Sequence, residues 1–444
     1  MSPRRSALRT APASYAQRLL WLIERRAAGG LNDRLAWRVT GPLDHTALGD
    51  ALAMLERRHE AVRTSFATER RTLVQHVHPP GRLAIQGSAS VGEPWSVVSP
   101  VDESLIDEIA ARPVDPAGPP LAVHVWRHGP DHHTLLLVVH QLVTDPRSTE
   151  ILAHELGVAY ELARGACAAP LPTIGWQYAD WCEWQQARLA GERLRALQAW
   201  WRSELADAEL PTLPVRGDGT PGAKRYARRR LPGAVAPAVR RLAAAHGTSP
   251  FVVALAAFQA SLYDLTGRPR VTVAGLHANR RPEVEHTVGP FVNMVVLRGR
   301  VDPGSSIGER LAATADAVAR ANAHAELPFQ LLPPGALADP SGRVADVVFQ
   351  FREGDPRASA LTRIAGLELE PVERQPDRAR FAVELFVALL DDDVAAVVLY
   401  DSGRVPDAWA AALADRFCVQ LGAMARVAAT SGGHAAAQAT AISS

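Results

Sequence analysis

A run of five apolar residues, Leu135-Leu136-Leu137-Val138-Val139, ends on His140 and constrains the fold of this chain more than any other stretch. It lacks the alternation of a half-exposed strand, so it reads as a central strand covered on both faces. Behind it come Gln141, Leu142, Val143, Thr144, Asp145 and Pro146. Asp145 can cap a helix that starts from about Arg147, and Pro146 suits its first turn, where no N–H is required. Another strand, at 121–126, precedes it across the polar turn RHGPDHH, which places His132 and His133 at the surface. The expectation is an α/β fold, a sheet with helices laid against it. A histidine leaving such a strand, with an acid five residues on, is held rigidly. On these residues alone it is either part of an active centre or a structural histidine satisfied by its surroundings.

Helical and extended segments are mixed through both halves of the 444 residues. Residues 44–60 repeat Leu48, Leu52 and Leu55 at helical spacing behind a capping Asp44, and 175–206 is tryptophan-rich and helical in character. Pro250 heads an apolar helix, and further helices are expected at 307–324 and 406–428. Strands are expected at 270–276, 293–299, 345–351, 383–388 and 394–400. Single cores stop growing near ~250–300 residues, so two lobes are the natural division. The stretch 210–224, dense in Pro and Gly, marks the break. The expected division is 1–185 for an N-terminal lobe, 186–224 for an inter-lobe helix and linker, 225–430 for a C-terminal lobe, and 431–444 for a low-complexity, disordered tail.

Composition removes several function classes. With 48 basic and 47 acidic residues the formal charge is +1, and no strong field favours nucleic acid or an anionic membrane. Lys224 is the single lysine, and the arginines at 225–230 read as a solvated strand edge. Cys167, Cys182 and Cys418 are too few and too scattered for a disulfide framework or a metal cluster, which fits a reducing cytoplasm. No apolar h-region follows the basic N-terminus, and no stretch reaches the ~18 apolar residues of a membrane span. A soluble, cytoplasmic, monomeric protein without bound cofactor or metal is therefore expected. The GDGTPG stretch at 217–222 has the glycine spacing of a dinucleotide fingerprint, but it follows a proline-rich loop and opens no helix, so it reads as a plain loop.

Six further segments carry a resemblance. Ser14-Tyr15-Ala16-Gln17-Arg18-Leu19-Leu20-Trp21 is similar to an SxAQxRLW motif, with Leu19 where arginine is usual. Arg58-His59-Glu60-Ala61-Val62-Arg63-Thr64-Ser65-Phe66 is similar to RHExLRTxF, and Gln177-Tyr178-Ala179-Asp180-Trp181 with Trp184 to QYxDYxxW. Val288-Gly289-Pro290-Phe291-Val292-Asn293 with Leu297-Arg298 is similar to VGxFVNTxxLR, Met294 replacing threonine, while Leu327-Pro328-Phe329 and Phe349-Gln350 echo later landmarks. In this order and spacing they resemble the condensation domains of nonribosomal peptide synthetases, which carry HHxxxDG where this chain has His140–Pro146. The resemblance implies two lobes, each like chloramphenicol acetyltransferase, in a V-shaped pseudo-dimer with a central tunnel. It also implies carrier proteins at the tunnel mouths, whose phosphopantetheine arms tether a donor thioester and an acceptor amine, and an amide or ester product.

The departures lie at the chemistry. Gln141 stands where the family's second histidine faces the acceptor, and a carboxamide has no usable basicity near neutral pH. It can still orient an amine or steady an oxyanion by hydrogen bonding. Pro146 replaces the motif glycine, removing both an N–H and backbone freedom. His140 is retained, and in the family the first histidine mainly supports the site. Asp145 is retained too, and there it pairs with an arginine of the second lobe. That arginine falls in a segment similar to ANRxRPE, here Ala278-Asn279-Arg280-Arg281-Pro282-Glu283, which makes Arg280 the expected partner and Arg281 the alternative. The candidate catalytic residues are thus His140, Gln141 and Asp145, with Asn293, Pro146 and His277 as candidate tunnel or substrate residues and His277 as a substitute base. Asn293 also reads as a strand-end residue satisfying backbone groups, and Trp176, Trp181 and Trp184 as packing groups.

Three functions fit this pattern. The chain is an atypical acyltransferase in which Gln141 positions the nucleophile, or an inactive module similar to the glycopeptide-antibiotic X-domain that recruits haem oxygenases to a carrier-bound peptide, or a relic that binds one carrier protein without chemistry.

Overall fold

A computed structural model of the chain describes residues 9–26, 31–81, 83, 85–87, 100–115, 117–167, 169–214, 222–333, 346–354, 361–372 and 379–442, with 428–442 described by backbone alone. Of the GDGTPG stretch all but Gly222 lies outside the described residues.

The chain forms two compact units that are not contiguous stretches of sequence. Unit 1 comprises Met1–Arg193, Ala278–Val292 and Ser359–Gln375, and unit 2 comprises Leu194–His277, Asn293–Ala358 and Pro376–Ser444. The contiguous lobes expected at 1–185 and 225–430 therefore give way to interleaved ones. The physical reason is strand pairing. Leu367–Pro371 runs antiparallel to Asn32–Thr40, with Glu368 opposite Thr40 and Pro371 opposite Trp37. A partner more than 300 residues away covers that edge.

Among the described residues, the larger sheet of unit 1 has the order Arg363–Ile364, Leu367–Pro371, Asn32–Thr40, His132–His140, Leu121–Arg127 and Ile85–Gly87. The apolar run is central, as its composition requires, and antiparallel to both neighbours. Alternation splits it between two cores. Leu135, Leu137 and Val139 face the helices His45–Arg58 and Pro146–Ala163, while Leu136 and Val138 pack with Ile106 of the helix Glu103–Ala111. A second sheet joins Arg9–Pro12, Thr72–Val77 and Thr64–Glu69.

His133 corrects the surface reading of the turn. The strand begins at His132, so the next side chain turns inward, where His133 is 3% exposed and meets His45 edge-on with ring centroids 5.6 Å apart. Burial, with the neighbouring His45 and Arg127, lowers its pKa to about 4.

Unit 2 holds the sheet Asn293–Arg300, Arg270–His277, Val347–Glu353, Val383–Leu389, Val394–Asp401 and Lys224–Leu231. Val347–Glu353 is parallel to both neighbours, and the other pairs are antiparallel. The helix Pro250–Thr266 fills its core and ends at Gly267, whose φ of +67° suits glycine. The arginine-rich strand Lys224–Leu231 is indeed a sheet edge, and its charges are spent locally: Arg225 pairs with Asp407, Arg229 with Asp415 and Arg230 with Asp393. The last helix, Asp407–Ile442, continues through 431–442, where the sequence leads one to expect a disordered tail; the alanines there have the highest helix propensity of any residue.

Candidate functional site at the end of the central strand

The corner between strand and helix is built around one carboxylate. Asp145 caps the helix Pro146–Ala163 by accepting the Ser148 N–H at 2.7 Å on Oδ1. The same oxygen accepts Arg280 Nη2 at 2.9 Å, and Oδ2 accepts the Phe291 N–H at 3.0 Å. Arg280 is the partner and Arg281 is not: Arg281 lies exposed against Glu283, whereas the Arg280 side chain is 9% exposed. The 278–292 segment that supplies Arg280 belongs to unit 1 itself, not to the second lobe that the resemblance implies.

Arg280 spends its donors on Asp145, on Ser148 Oγ at 2.9 Å, and on the carbonyls of Val284 and Thr287 at 3.0 and 2.7 Å, with its guanidinium over the Phe291 ring. Burial lowers its pKa while Asp145 holds it up. Ser148 Oγ closes the knot by donating to the Gly289 carbonyl at 2.9 Å and accepting the Gly289 N–H at 3.0 Å. Pro146 occupies the first turn, where its missing N–H costs nothing.

The motif segments mostly serve this corner. Ser14 and Gln17 cap each other's backbone at the head of the helix Tyr15–Arg26, and Gln17 Nε2 donates to the Leu142 carbonyl at 2.9 Å. Tyr178 is fully buried, donates to the Pro290 carbonyl and shares a hydrogen bond with Ser14 Oγ. Gly289 has no room for a side chain, since a Cβ there would stand 2.0 Å from the Tyr178 ring. Glu155, accepting from Arg58 and His59 at 2.7 Å each, ties the 58–66 motif to the helix Pro146–Ala163. Trp181 is buried against Phe291, and the half-buried Trp176 and Trp184 pack on the same group.

His140 is 1% exposed, and burial brings its pKa down to about 4, so the ring is neutral. Its Nδ1 accepts the Leu142 N–H at 3.0 Å, which leaves the ring proton on Nε2. That Nε2 stands 3.8 Å from Glu24 Oε2, too far for a hydrogen bond. With the Nδ1 lone pair engaged by the Leu142 N–H and Nε2 protonated, His140 has no free lone pair near neutral pH. It supports the corner rather than acting as a base.

Gln141 is 5% exposed. Its backbone N–H reaches the Leu31 carbonyl at 2.8 Å, and its side-chain Nε2 donates to Asp33 Oδ1 at 2.9 Å. The register explains the pairing. Asp33 lies opposite Val139, and Gln141 is two residues on, thus on the same face and diagonal to Asp33. Neither Asp33 nor Glu24 stands out in the sequence, because the signal is the register between strands a hundred residues apart.

The two other candidates fall in unit 2. Asn293 is buried and engaged with backbone: Nδ2 donates to the Ala325 and Leu327 carbonyls at 2.9 Å each, and Oδ1 accepts the Phe329 N–H at 3.0 Å. Both amide hydrogens are committed, and the residue plays the backbone-satisfying role. His277 pairs opposite Asn293 in the sheet, and burial lowers its pKa. Among the described residues no cluster of three or more His, Cys, Asp or Glu is placed to hold a metal ion.

Comparison with known proteins defines the class. The condensation-domain family profile matches residues 7–421, and the chain belongs to that family. Among curated proteins it is 32% identical over 332 residues to the phosphinothricin tripeptide synthetase PhsC of Streptomyces viridochromogenes, covering 72% of this chain and 30% of PhsC. It thus spans less than a third of that relative's length. Among solved structures it matches the SgcC5 protein of Streptomyces globisporus with 26% identity, a TM-score of 0.73, and 94% and 99% of the two chains covered. The X-domain from teicoplanin biosynthesis matches with 22% identity and a TM-score of 0.80 over 96% of each chain, a likeness of fold.

Proposed function

We propose that this chain engages carrier-protein-bound thioesters at the His140–Pro146 corner and transfers the acyl or peptidyl group to an amine or hydroxyl. The V-shaped arrangement and tunnel implied by the resemblance, with phosphopantetheine arms as tethers, belong to the same proposal. The observation that carries it is the intact corner: Asp145, Arg280, Ser148 and Gly289 form one dense hydrogen-bonded knot beside a buried Gln141. That knot fixes the helix start at the end of the central strand, which is the rigidity a site that works by positioning requires.

In the reaction the nucleophile's lone pair attacks the thioester carbonyl carbon. The new C–N or C–O bond forms, the C–S bond breaks, and the proton lost by the nucleophile ends on the pantetheine thiol. His140 and Gln141 supply no base, so the proton leaves without side-chain help at this position. A general base contributes about 10²–10⁴-fold, whereas holding two tethered reactants in place is worth effective molarities of about 10⁵–10⁸ M. Positioning is the larger effect, and a slow transferase follows. The test is to load an acyl donor on its carrier, add the acceptor, and follow product by mass spectrometry. Turnover above the uncatalysed thioester reaction, lost in Gln141→Ala, is expected; its absence with authentic partners refutes the reading.

That neither His140 nor Gln141 offers a base near neutral pH favours a second reading, an inactive module that recruits a haem oxygenase to a carrier-bound peptide. A solved structure holds the teicoplanin X-domain in complex with OxyB, and the fold of this chain matches it with a TM-score of 0.79. Binding to an oxygenase of the same biosynthetic system, measured by calorimetry, decides this reading.

A further inference from the structure

The sequence leaves two roles open for the Gln141 carboxamide: accepting a hydrogen bond from the nucleophile, or donating one to an oxyanion. The Asp33 contact fixes where the accepting atom lies. A carboxylate can only accept, so the atom 2.9 Å from Asp33 Oδ1 has to be Gln141 Nε2, and the amide cannot be turned over without setting two acceptors against each other. The oxygen Oε1 is then on the other branch of the amide, away from the carboxylate. Asp33 takes one Nε2 hydrogen and fixes which branch of the amide carries the oxygen.

We propose that Asp33 is a positioning residue which locks the Gln141 carboxamide with Oε1 turned to the nucleophile, so that Gln141 accepts the nucleophile's N–H or O–H. The inference rests on the acyl-transfer reading above. It accounts for an acidic side chain at Asp33, on the same sheet face as Leu35 and Trp37, at the one strand position diagonal to Gln141. Neutral His140 on the adjacent position, with Nδ1 committed to the Leu142 N–H, does not compete for the amide.

The experiment has two independent readouts on the full chain. The first is the Gln141 side-chain amide resonance, assigned by its loss in Gln141→Glu. It is expected to move in Asp33→Ala and to keep its position in Glu24→Gln; an unmoved resonance in Asp33→Ala overturns the proposal. The second is kinetic. Asp33→Ala should lower kcat about tenfold or more, the size of a hydrogen bond to a charged group, with little change in the acceptor KM. Asp33→Asn, which offers the amide either a donor or an acceptor, should fall between it and the wild type. Asp33→Glu and Gln141→Asn move one methylene across the pair in opposite directions, and their combination should exceed either single variant in kcat; failure to do so counts against the proposal. No turnover by the wild-type chain sinks the acyl-transfer reading. Unchanged turnover in Asp33→Ala, with the wild type active, sinks this inference alone.

Discussion

Replacing Arg280 by methionine keeps most of the side chain's length and removes its charge. The substitution deletes the hydrogen bonds to Asp145 Oδ1, Ser148 Oγ and the Val284 and Thr287 carbonyls, together with the guanidinium stacked 4.3 Å from the Phe291 ring centroid. Asp145, with a side chain 3% exposed, is left as a buried carboxylate with only the Ser148 and Phe291 N–H groups. Removing one partner of a buried ion pair costs about 3–5 kcal/mol, because the other charge stays behind. Two backbone donors soften that loss, and methionine is spared the desolvation that lowers the Arg280 pKa. We expect a cost of about 3 kcal/mol, the lower end of that range. Urea unfolding followed by tryptophan fluorescence suits the question, since Trp181 lies 5.5 Å from the Phe291 ring. Asp145→Asn/Arg280→Met should be more stable than the sum of the single losses by about 1–2 kcal/mol. A single-variant loss below about 1 kcal/mol, with an unchanged denaturant slope, would refute the view that this pair holds the corner together.

Gln141→His should place an imidazole beside Asp33, whose carboxylate raises its pKa and orients it as a base; a gain of at least about 10²-fold in kcat, rising with pH, is expected in the carrier-bound assay. Gly289→Ala drives a methyl group into the buried Tyr178 ring and should cost about 2–3 kcal/mol by thermal unfolding. His140 is neutral in the fold with a pKa of about 4, against an unfolded value near ~6.5, so the unfolded chain takes up the proton first as pH falls. Its contribution is complete above about pH 6.5 and erodes towards pH 4, the loss amounting to roughly 1.4 kcal/mol by pH 5.5; a stability–pH curve for His140→Asn that is shallower over this window checks it.

The corner is readable in the sequence because its determinants are local. An apolar run without alternation, an Asp–Pro helix start and a nearby family motif lie within twelve residues, and all three appear in the fold where the patterns place them. Only burial separates Arg280 from Arg281. Asp33 and Glu24 carry no signal of their own, since nothing in a strand's residues tells which partner lies across from it or in what register. The surface reading of His133 fails because the strand starts at His132 rather than at 134, which takes His133 out of the turn and into the core. The interleaving of the units escapes for the same reason as Asp33: strand partners more than 300 residues apart leave no local trace.

That interleaving governs how the molecule is made. Unit 1 needs the Arg280 segment and the strand Leu367–Pro371, so a ribosome must reach Gln375 before it is complete, by which point most of unit 2 has already emerged. The units cannot mature one after the other in order of synthesis. An engineer exchanging residues 1–193 for those of a homologue would therefore set a foreign central sheet against this chain's Leu367–Pro371 strand and a foreign capping aspartate against this chain's Arg280.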